Sequence, residues 1–473
     1  MKEAGNKTVS EVGKDDVIAV ILAAGQGKRM KSELPKVMHR VCGKPMAGMV
    51  YEAIRGSGVE RCVMVVGFGA EKVQEYFADS VGYAVQEKQL GTGHAVKTAM
   101  ESIGDFNGRV LVMNGDLPLV RAQTIRALIN QGVENQDAAT MVTAELENPT
   151  GFGRIIRNST GEFCKIVEQK EASKEELEIK EVNTGVYCFD AASLLPALNS
   201  LNNNNAQQEF YLTDVLESII KSGKRVGIYK LEDSRESVGV NDRSELAALC
   251  ETVQFEICQK LMRDEGVTIL APHNTYIDSD VVIGQDTVVY PGCVLEGTVK
   301  IGTGCTIGPN SRIVNSTIGN HTTVESSVVV DSAVANGVSV GPFAYLRPHS
   351  NILDKVKIGD FVEIKNATIG AGTKIPHLSY VGDADVGGNT NIGCGVITCN
   401  YDGKKKYRTQ VGDNVFVGSN SNLVAPVKVG NDVYVASGST VTEDVPEGAL
   451  VIARARQTVK ESWVEKKGLL RGK

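Results

Sequence analysis

The sequence predicts a chain of two parts: an α/β domain with a mostly parallel, doubly wound sheet, and a parallel β-helix of hexapeptide repeats joined to it by a helix. Two patterns carry this prediction. Before residue 243, apolar runs of strand length alternate with helix-like stretches, as in doubly wound folds. From Ile277 to Val441, an aliphatic residue returns at every sixth position. A helix repeats at about 3.6 residues and a strand at two, so a period of six indicates a solenoid of short strands.

Composition narrows the class of protein. The 473 residues are enough for two or three domains. A net charge of −7 without a block of like charge argues against a nucleic-acid binder that works through a basic surface. The ten cysteines include no C-x-x-C pair, which predicts reduced thiols. No apolar run reaches membrane-spanning length, and residues 1–16 form a polar extension unlike a signal peptide, so we expect no membrane insertion and a cytoplasmic location.

The N-terminal half begins with a strand at Val17–Ala23. Its unbroken apolar run is typical of a strand that is buried on both faces of a parallel sheet. Further strands are predicted over Val63–Val66 and Arg109–Met113, and helices over Met46–Ser57 and Gly93–Ser102. In such a sheet, ligands bind beyond the carboxyl ends of the strands.

The loop after the first strand is rich in glycine and carries two cations. Its glycines let backbone N–H groups approach phosphate oxygens, which Lys28 and Arg29 can neutralise. The loop does not match the dinucleotide-binding pattern G-x-G-x-x-G, because the late glycine is absent, and it does not match the P-loop pattern either. Taken alone, the Gly-x-Gly predicts an ordinary turn about as well as a phosphate site.

Three motifs in this half occur in the order found in a known enzyme class. Leu22–Met30 and the following Leu-Pro-Lys, which ends at Lys36, resemble the signature of sugar-1-phosphate nucleotidyltransferases. Gln86–His94 is similar to the base-reading segment of the uridylyltransferases. Asn-Gly-Asp at Asp116 ends an apolar strand, where a carboxylate is well placed to hold Mg²⁺ against phosphate oxygens. The alternative for Asp116 is a turn cap.

Later motifs resemble the sugar-facing and metal-binding segments of the same class. They centre on Gly153, Glu168, Asn183 and Asn241. The resemblance implies a Rossmann-like nucleotidyltransferase domain with a site for nucleotide and sugar. It assigns catalysis to Lys36 and Arg29, magnesium to Asp116 and Asn241, and nucleotide and sugar binding to Leu22, Ala23, Ala24, Gly25, Lys36, Gln86, Gly91, Thr92, Asn114, Gly115, Asp116, Gly153, Glu168, Asn183 and Asn241.

A helix is predicted to link the two halves. Residues 244–265 are rich in helix formers and end at Gly266, a natural helix stop. One apolar stripe runs along them: Leu246, Leu249, Val253, Ile257 and Leu261. We therefore predict a first domain over 17–243, a linker helix over 244–266, a β-helix over 267–450 and a C-terminal arm over 451–473.

The six-residue pattern falls into runs separated by short slips and by one long interruption. The aliphatic positions are Ile277, Ile283, Val289, Leu295, Ile301, Ile307 and Ile313; Ile318, Val324 and Val330; Val334, Val340, Leu346, Ile352, Ile358 and Ile364; Ile369, Ile375 and Val381; Val386 and Ile392; and Val411, Val417, Leu423, Val429, Val435 and Val441. The one long interruption, Gly395–Arg408, predicts a loop on one face, often a binding face. The alternative, a β-sandwich, would show alternation and hairpin turns instead.

A histidine marks the candidate site on the β-helix. The chain has six histidines, and a single one in a repeat turn is more often structural or exposed than catalytic. His377, however, precedes the long interruption and has Arg347, Lys365 and Tyr380 nearby in the repeats, a set of cations and a hydroxyl suited to a phosphate.

This half contains a series of short motifs: Tyr345–Pro348, Phe361–Lys365, Ile375–Asp383, Asn391–Cys394, Thr398–Gly403, Val417–Ser419 and Ile452–Arg454. Taken with the motifs of the first half, they resemble one bacterial family in a single order from about Val17 to about Trp463. This is the GlmU family of bifunctional N-acetylglucosamine-1-phosphate uridylyltransferase/glucosamine-1-phosphate acetyltransferases. The resemblance implies a left-handed β-helix. It makes His377 the general base and assigns acceptor and acetyl-CoA binding to Arg347, Lys365, Glu363, Tyr380, Asn391, Cys394, Asn400, Tyr401, Ser419, Ser437 and Arg454, with Glu363 orienting His377.

The resemblance also implies a reaction sequence. Acetyl transfer from acetyl-CoA to glucosamine 1-phosphate precedes uridylyl transfer from UTP, with Mg²⁺, to N-acetylglucosamine 1-phosphate. The product, UDP-N-acetylglucosamine, supplies peptidoglycan and lipopolysaccharide synthesis. Family members are homotrimers that share active sites between subunits, which we expect here; we expect no nucleic-acid partner.

Some positions depart from the family pattern. Asn114 can be Tyr in relatives, and Cys394 and Ser437 can be Ala. These differences affect contacts with the sugar and with coenzyme A, not the reactions themselves. We expect Cys394 to be a buried small residue rather than an acyl carrier.

Two alternatives to the bifunctional enzyme are a nucleotidyltransferase whose β-helix serves only oligomerisation or regulation, and a non-catalytic subunit. His377 and its neighbours argue against the first, and Lys36, Asp116 and Arg29 against the second.

Overall fold

A computed structural model describes residues 16–205 and 207–469 of the chain. The predictions for the polar extension before residue 16 and for the last four residues of the arm lie outside the described part. The chain divides into two compact units, 1–250 and 251–473. Within the described residues, no helix combines the length and the apolar character needed to cross a lipid bilayer.

The first unit is built on a mixed sheet. The strands of the unit are β1 (Val17–Leu22), β2 (Arg40–Val41), β3 (Lys44–Pro45), β4 (Arg61–Val66), β5 (Gly82–Val85), β6 (Arg109–Asn114), β7 (Ala139–Glu145), β8 (Arg154–Arg157), β9 (Phe163–Val167), β10 (Glu181–Asp190) and β11 (Val226–Lys230). The mixed sheet has the order β11-β7-β10-β6-β1-β4-β5, whereas β2 and β3 form a separate two-stranded sheet. Strand β1 runs parallel to β4 and β6, whereas β10 is antiparallel to β6 and β7. The β8–β9 hairpin extends from β10.

Helices cover both faces of this sheet. They are α1 (Met46–Gly56), α2 (Ala70–Phe77), α3 (Thr92–Ile103), α4 (Ala122–Glu134), α6 (Ala191–Ser200) and α7 (Thr213–Lys221). The short helix α5 (Lys174–Leu177) buries no residue, and α8 (Arg243–Asp264) continues from the first unit into the second. Alternate residues of β1 enter two different apolar clusters, Ala19 and Ile21 one of them and Ile18 and Val20 the other. This confirms the prediction that the first strand is buried on both faces.

The second unit is a coil of parallel strands in three sheets, with neighbouring strands one coil apart. The first sheet contains Thr268–Ile269, Val288–Val289, Thr306–Gly308, Thr323–Glu325, Ser339–Val340, Lys357–Asp360, Lys374–His377, Asn391–Ile392, Phe416–Val417, Tyr434–Val435 and Leu450–Val451. The second contains Tyr276–Ile277, Val294–Glu296, Arg312–Val314, Val328–Val330, Tyr345–Leu346, Glu363–Lys365, Tyr380–Gly382, Ile397–Cys399, Asn422–Val424 and Thr440–Val441. The third contains Val282–Ile283, Lys300–Ile301, Thr317–Ile318, Ala333–Val334, Asn351–Ile352, Thr368–Ile369, Ala384–Val386, Thr409–Val411 and Val427–Val429. A short helix, α9 (Trp463–Lys466), lies in the arm.

The aliphatic pattern corresponds to the core of this coil, which confirms the predicted β-helix class. Every predicted position is buried in it except Val330. Val329 is the inward residue there, because the spacing is five residues both from Val324 to Val329 and from Val329 to Val334.

The long interruption is shorter than predicted. Thr398 lies in a strand and faces inward, six residues after Ile392. Its hydroxyl accepts a hydrogen bond from the Gly382 N–H (2.8 Å) and donates to the Gly382 carbonyl (2.9 Å). The hydroxyl is therefore fully hydrogen-bonded although it is buried inside the coil. The loop that leaves the coil therefore begins near Asn400.

Candidate active sites

A cleft opens at the carboxyl ends of β1 and β6, where a doubly wound sheet binds its ligands. Its volume of about 390 Å³ is in the range of small-molecule sites. The lining residues are Leu22, Ala24, Gly25, Lys36, Val37, Gln86, Gln89, Gly91, Thr92, Ala95, Asn114, Asp116 and Glu209. Most of the nucleotide-binding residues predicted from the sequence therefore share one cavity, whereas Ala23 is buried beside it.

Two cation–oxygen contacts lie at this cleft. Lys36 starts a 3₁₀ turn, and its ammonium forms an ion pair with the Asp116 carboxylate; the two side chains are 18% and 16% exposed. Arg29 Nη2 donates to Asn241 Oδ1 at 2.9 Å. The N–H of Val240 donates to the Asp116 carbonyl at 3.4 Å, which brings Asn241 next to the aspartate. The four residues to which the sequence assigned catalysis and metal binding thus come together.

The predicted metal ligands fit magnesium by chemistry. Asp116 offers a carboxylate and Asn241 an amide oxygen, and Mg²⁺ prefers oxygen ligands, often with one or two carboxylates from the protein and the rest from phosphates and water. In this structure the same oxygens accept from Lys36 and Arg29. Among the described residues, no group of three or more Asp, Glu, His or Cys side chains forms a metal cage.

Gly27 positions Lys36. Its φ is +64°, and a Cβ built on it would lie 2.6 Å from Lys36 Cβ. We predict that Gly27→Ala loses about 1–2 kcal/mol of stability from the left-handed backbone and displaces Lys36, with more than about 10-fold loss of N-terminal activity. Gly223→Ala is the matched control, because its φ is +79° but no atom lies within 4 Å of the added Cβ. Equal activities of the two variants would contradict the prediction.

The predicted base-reading segment, Gln86–His94, leads into α3, which begins at Thr92. Gln86 is buried and donates to the Gly91 carbonyl at 3.2 Å. Gly91 has a φ of +109°, and a Cβ on it would meet the Phe210 carbonyl oxygen at 2.6 Å, so only glycine fits. Thr92 Oγ1 accepts from the Leu212 N–H at 3.0 Å. Gln89, which the sequence did not single out, donates to the Ala24 carbonyl at 3.0 Å.

The predicted sugar-facing residues also lie together. The Asn183 N–H donates to the Gly153 carbonyl at 2.9 Å, and the Tyr187 hydroxyl donates to Asn183 Oδ1 at 2.9 Å. A Cβ on Gly153 would lie 3.5 Å from Glu168 Oε1. Burial, with the neighbouring carboxylates of Glu171 and Asp214, raises the pKa of Glu168 above its ordinary value.

On the second unit, cations gather on one face of the coil. Tyr345, Glu363 and Tyr380 are in register one coil apart. Arg347 Nη1 donates to Glu363 Oε1 at 2.7 Å. Hydrogen bonding to Lys406, burial and the charges of Lys406 and Arg347 lower the pKa of Lys365.

These contacts bring three cations, Arg347, Lys365 and Lys406, within interacting range. Like charges disfavour one another, so this arrangement is suited to binding an anion. Lys406, which belongs to the loop that leaves the coil, was missed by the sequence because only the fold shows where that loop returns.

His377 lies at the end of its strand and is hydrogen-bonded through Nδ1 to Asp360 Oδ1 at 2.6 Å. The prediction that Glu363 orients His377 is wrong, because the Glu363 carboxylate is paired with Arg347. Asp360 is one coil from His377 in register, an offset of 17 residues. The hydrogen bond from His377 lowers the pKa of Asp360.

The loop 400–408 is tied to the same region of the coil. Asn400 donates through Nδ2 to the Asp383 carboxylate, with the Tyr380 hydroxyl 3.4 Å away. At the other end of the loop, the Arg408 guanidinium binds both carboxylate oxygens of Asp385 and donates to the Asn366 carbonyl at 3.1 Å. Tyr401 is exposed.

One corner of the coil changes from bulky to small residues beside His377. Below it, exposed Phe343, Phe361 and Leu378 lie on successive coils. The Phe343 and Phe361 rings stack with their centroids 5.5 Å apart, and the Leu378 N–H donates to the carbonyl of Asp360, next to Phe361. Above Leu378 the same corner carries Gly395, Asn420 and Gly438. The side chains thus become small on the stretch of the corner to which acetyl-CoA binding is assigned.

The predicted acetyl-CoA residues lie along this upper stretch. The register of Lys374 with Asn391 puts Cys394 one coil above His377, and Ser419 and Ser437 follow on later coils. Both serines and Arg454 are exposed. Cys394 is also exposed, so its prediction as a buried residue is wrong: it occupies an outward corner position, not an inward one.

The exposure of Cys394 allows a selective test. We predict that iodoacetamide reduces acetyl transfer more than about 10-fold and changes uridylyl transfer less than about twofold, because a bulky adduct would block the corner. Burial raises the pKa of Cys399, which makes that nearby thiol less reactive. Cys394→Ala should resist the reagent. Equal inhibition of this variant would show that another thiol is responsible.

Three family models match the chain. Residues 19–213 match the MobA-like NTP transferase domain, and residues 307–389 match the GlmU-like C-terminal hexapeptide. Residues 280–315 and 408–443 match the bacterial transferase hexapeptide of six repeats.

Full-length relatives bear the name bifunctional protein GlmU. The chain is 54% identical over 455 residues to that of Acetivibrio thermocellus, covering 96% of this chain and 98% of the relative. It is 52% identical over 448 residues to that of Geobacillus sp. strain WCH70, covering 95% and 97%, and 51% identical over 449 residues to that of Clostridioides difficile strain 630, also covering 95% and 97%. Since these identities extend over nearly the whole of both chains, the chain belongs to the GlmU family of bifunctional proteins.

Proposed function

We propose that residues 267–450 transfer an acetyl group from acetyl-CoA to glucosamine 1-phosphate, and that residues 17–243 then transfer uridylyl from UTP to the N-acetylglucosamine 1-phosphate formed, releasing pyrophosphate. Membership of the GlmU family favours these two transferase activities over a β-helix that serves only for oligomerisation. The observation that carries the proposal is the gathering of two separate sets of reactive side chains, Lys36 with Asp116 and His377 with Asp360.

The N-terminal reaction needs little covalent chemistry from the protein. The attacking sugar phosphate is already an anion, so no general base is required. Its oxygen forms a bond to the α-phosphorus of UTP as the bond to pyrophosphate breaks. Lys36 and Arg29 neutralise negative charge in the transition state, while the glycines of the first loop let backbone amides approach the phosphates.

We assign magnesium binding to Asp116 and Asn241. Mg²⁺ would supply further charge neutralisation on the phosphate oxygens. We assign the sugar to Gly153, Glu168 and Asn183, where the raised pKa of Glu168 fits a mostly dehydrated carboxyl that meets sugar hydroxyls.

The C-terminal reaction requires a base. The amine of glucosamine 1-phosphate must lose a proton as its nitrogen attacks the thioester carbonyl, and His377 accepts that proton. The carbon–sulfur bond breaks, and coenzyme A leaves as its thiol after taking up a proton. Arg347, Lys365 and Lys406 hold the phosphate of the acceptor, supported by the excess of positive charge that lowers the pKa of Lys365.

We place the acceptor amine and the thioester near Asn391, Asn400 and Tyr401, and the body of coenzyme A along Cys394, Ser419 and Ser437, with Arg454 toward its phosphates. The small and exposed residues of this corner support that path. A cytoplasmic location follows from the substrates, which are metabolites of that compartment.

We propose that the chain acts as a homotrimer. Two exposed apolar features support self-association. Phe343, Phe361 and Leu378 are 60%, 59% and 60% exposed in a contiguous ladder next to the acetyl-transfer site. Apolar residues of the arm are exposed as well: Ile452, Val459, Trp463, Val464 and Leu469. Light scattering after size exclusion should give three times the chain mass of 50.6 kDa. A monomer with full acetyltransferase activity would refute the shared site.

The function is tested by omission. The protein is incubated with glucosamine 1-phosphate, acetyl-CoA, UTP and Mg²⁺, and each component is left out in turn. N-acetylglucosamine 1-phosphate should form without UTP, and UDP-N-acetylglucosamine only when acetylated sugar is present. Nucleotide sugar formed equally well from glucosamine 1-phosphate without acetyl-CoA would contradict the order of the two steps.

A further inference from the structure

We propose that Asp360 is a positioning residue for acetyl transfer, which holds the His377 imidazole with Nδ1 protonated and Nε2 free to accept the proton of the amine. The inference rests on the proposed role of His377 as the base. It goes beyond that role by naming the group that fixes the ring and its tautomer.

The fold itself fixes the distance between the two side chains. Asp360 and His377 are the last residues of neighbouring strands and pair in register, as do Ile358 and Ile375. The Leu378 N–H donates to the Asp360 carbonyl at 2.9 Å, so the backbone is held just beyond the pair as well. Both strands are anchored by inward side chains that are fully buried. The contact of 2.6 Å is therefore set by the repeat, not by a flexible loop.

The chemistry of the contact determines the tautomer. An ionised carboxylate only accepts hydrogen bonds, so Nδ1 must carry the proton that it shares with Asp360. The remaining nitrogen, Nε2, then has the lone pair that a general base needs. The lowered pKa of Asp360 keeps its carboxylate ionised across the working pH range.

Other ionisable groups near the pair are few. Lys357 and Lys374 lie on the same two strands, and Cys394 follows one coil above His377. On the neighbouring sheet, Glu363 is engaged by Arg347. Among these described residues, Asp360 is the carboxylate bonded to His377.

The exposure of the pair sets the size of the effect. The His377 and Asp360 side chains are 58% and 40% exposed, so water competes for the ring. We therefore expect the loss of the carboxylate to lower kcat about 10- to 100-fold, as for other partners that orient a histidine, and less than the about 10⁴-fold effect of a buried triad aspartate.

The test measures kcat and KM of acetyl transfer for Asp360→Ala and Asp360→Asn. We expect kcat of Asp360→Ala to fall about 10- to 100-fold with KM for glucosamine 1-phosphate within about threefold, because the acceptor still binds while the base is misoriented. Asp360→Asn should keep more activity than Asp360→Ala, since its amide oxygen still accepts from Nδ1.

Two controls separate positioning from folding. Uridylyl transfer by the same preparations should stay within about twofold of the unchanged protein, since its site lies in the other unit. Glu363→Gln removes a nearby carboxylate that is bonded to Arg347 and not to His377, so it should change KM for the sugar phosphate more than kcat.

A kcat of Asp360→Ala within twofold of the unchanged protein would overturn the proposal, and so would an Asp360→Asn variant that is no more active than Asp360→Ala. Failure of the proposed function looks different: acetyl transfer would then persist in His377→Ala, whatever the Asp360 variants do.

Discussion

Lys36→Ala should lower uridylyl transfer by about 10²- to 10³-fold or more and leave acetyl transfer within about twofold. The Lys36 ammonium is the charged group at the centre of the N-terminal cleft, and it is mostly shielded from water. In such a place a cation stabilises the charge that develops on the phosphates far more than in water. The measurement is pyrophosphate release from UTP and N-acetylglucosamine 1-phosphate, with acetyl transfer assayed in parallel.

Lys28→Ala is the control for Lys36→Ala. It removes the same charge from the preceding turn, but Lys28 is exposed and is not among the residues that line the cleft. We expect a loss of less than about 10-fold. A near-native uridylyl rate in Lys36→Ala, or equal losses in the two variants, would mean that charge placement at Asp116 is not the basis of the reaction.

His377→Ala should lower acetyl transfer by about 10²- to 10⁴-fold, the range for a general base, and leave uridylyl transfer within about twofold. The side chain is 58% exposed, so its removal should cost little stability. The measurement is thiol release from acetyl-CoA in the presence of glucosamine 1-phosphate. His321→Ala, an exposed histidine elsewhere on the coil, should have no effect. Retained acetyl transfer in His377→Ala would exclude this residue as the base.

Much of the fold can be predicted from the local sequence, because each repeat requires the same kind of residue at its inward position. An inward position needs an apolar side chain at a spacing fixed by the coil, so the aliphatic residues show the strands directly. The pattern misses an inward position that a polar residue occupies. The Thr398 hydroxyl is hydrogen-bonded to the Gly382 backbone inside the coil, whereas the sequence pattern places Thr398 in the loop. Val329 was missed because three consecutive valines leave the slip ambiguous.

The acetyl-transfer site is harder to predict from the sequence, because its side-chain contacts join residues of neighbouring coils. Asp360 and His377 are 17 residues apart, one coil shortened by the slip between Ile364 and Ile369. A count of three full hexads would have paired His377 with Gly359 instead. Glu363 was assigned to His377 by the family resemblance, whereas in the structure its carboxylate is bonded to Arg347. The motifs of the N-terminal half were easier to place together, because the carboxyl ends of the parallel strands β1 and β6 must lie at the same edge of the sheet.

The central claim is that one chain carries two separate active sites whose reactions are consecutive. Complementation tests it most directly. Lys36→Ala and His377→Ala are each supplied with glucosamine 1-phosphate, acetyl-CoA, UTP and Mg²⁺, alone and mixed, and products are quantified. Lys36→Ala should accumulate N-acetylglucosamine 1-phosphate, His377→Ala should yield almost no UDP-N-acetylglucosamine, and the mixture should restore its formation. A single substitution that abolishes both reactions in a folded protein, or a mixture that restores nothing, would contradict the account.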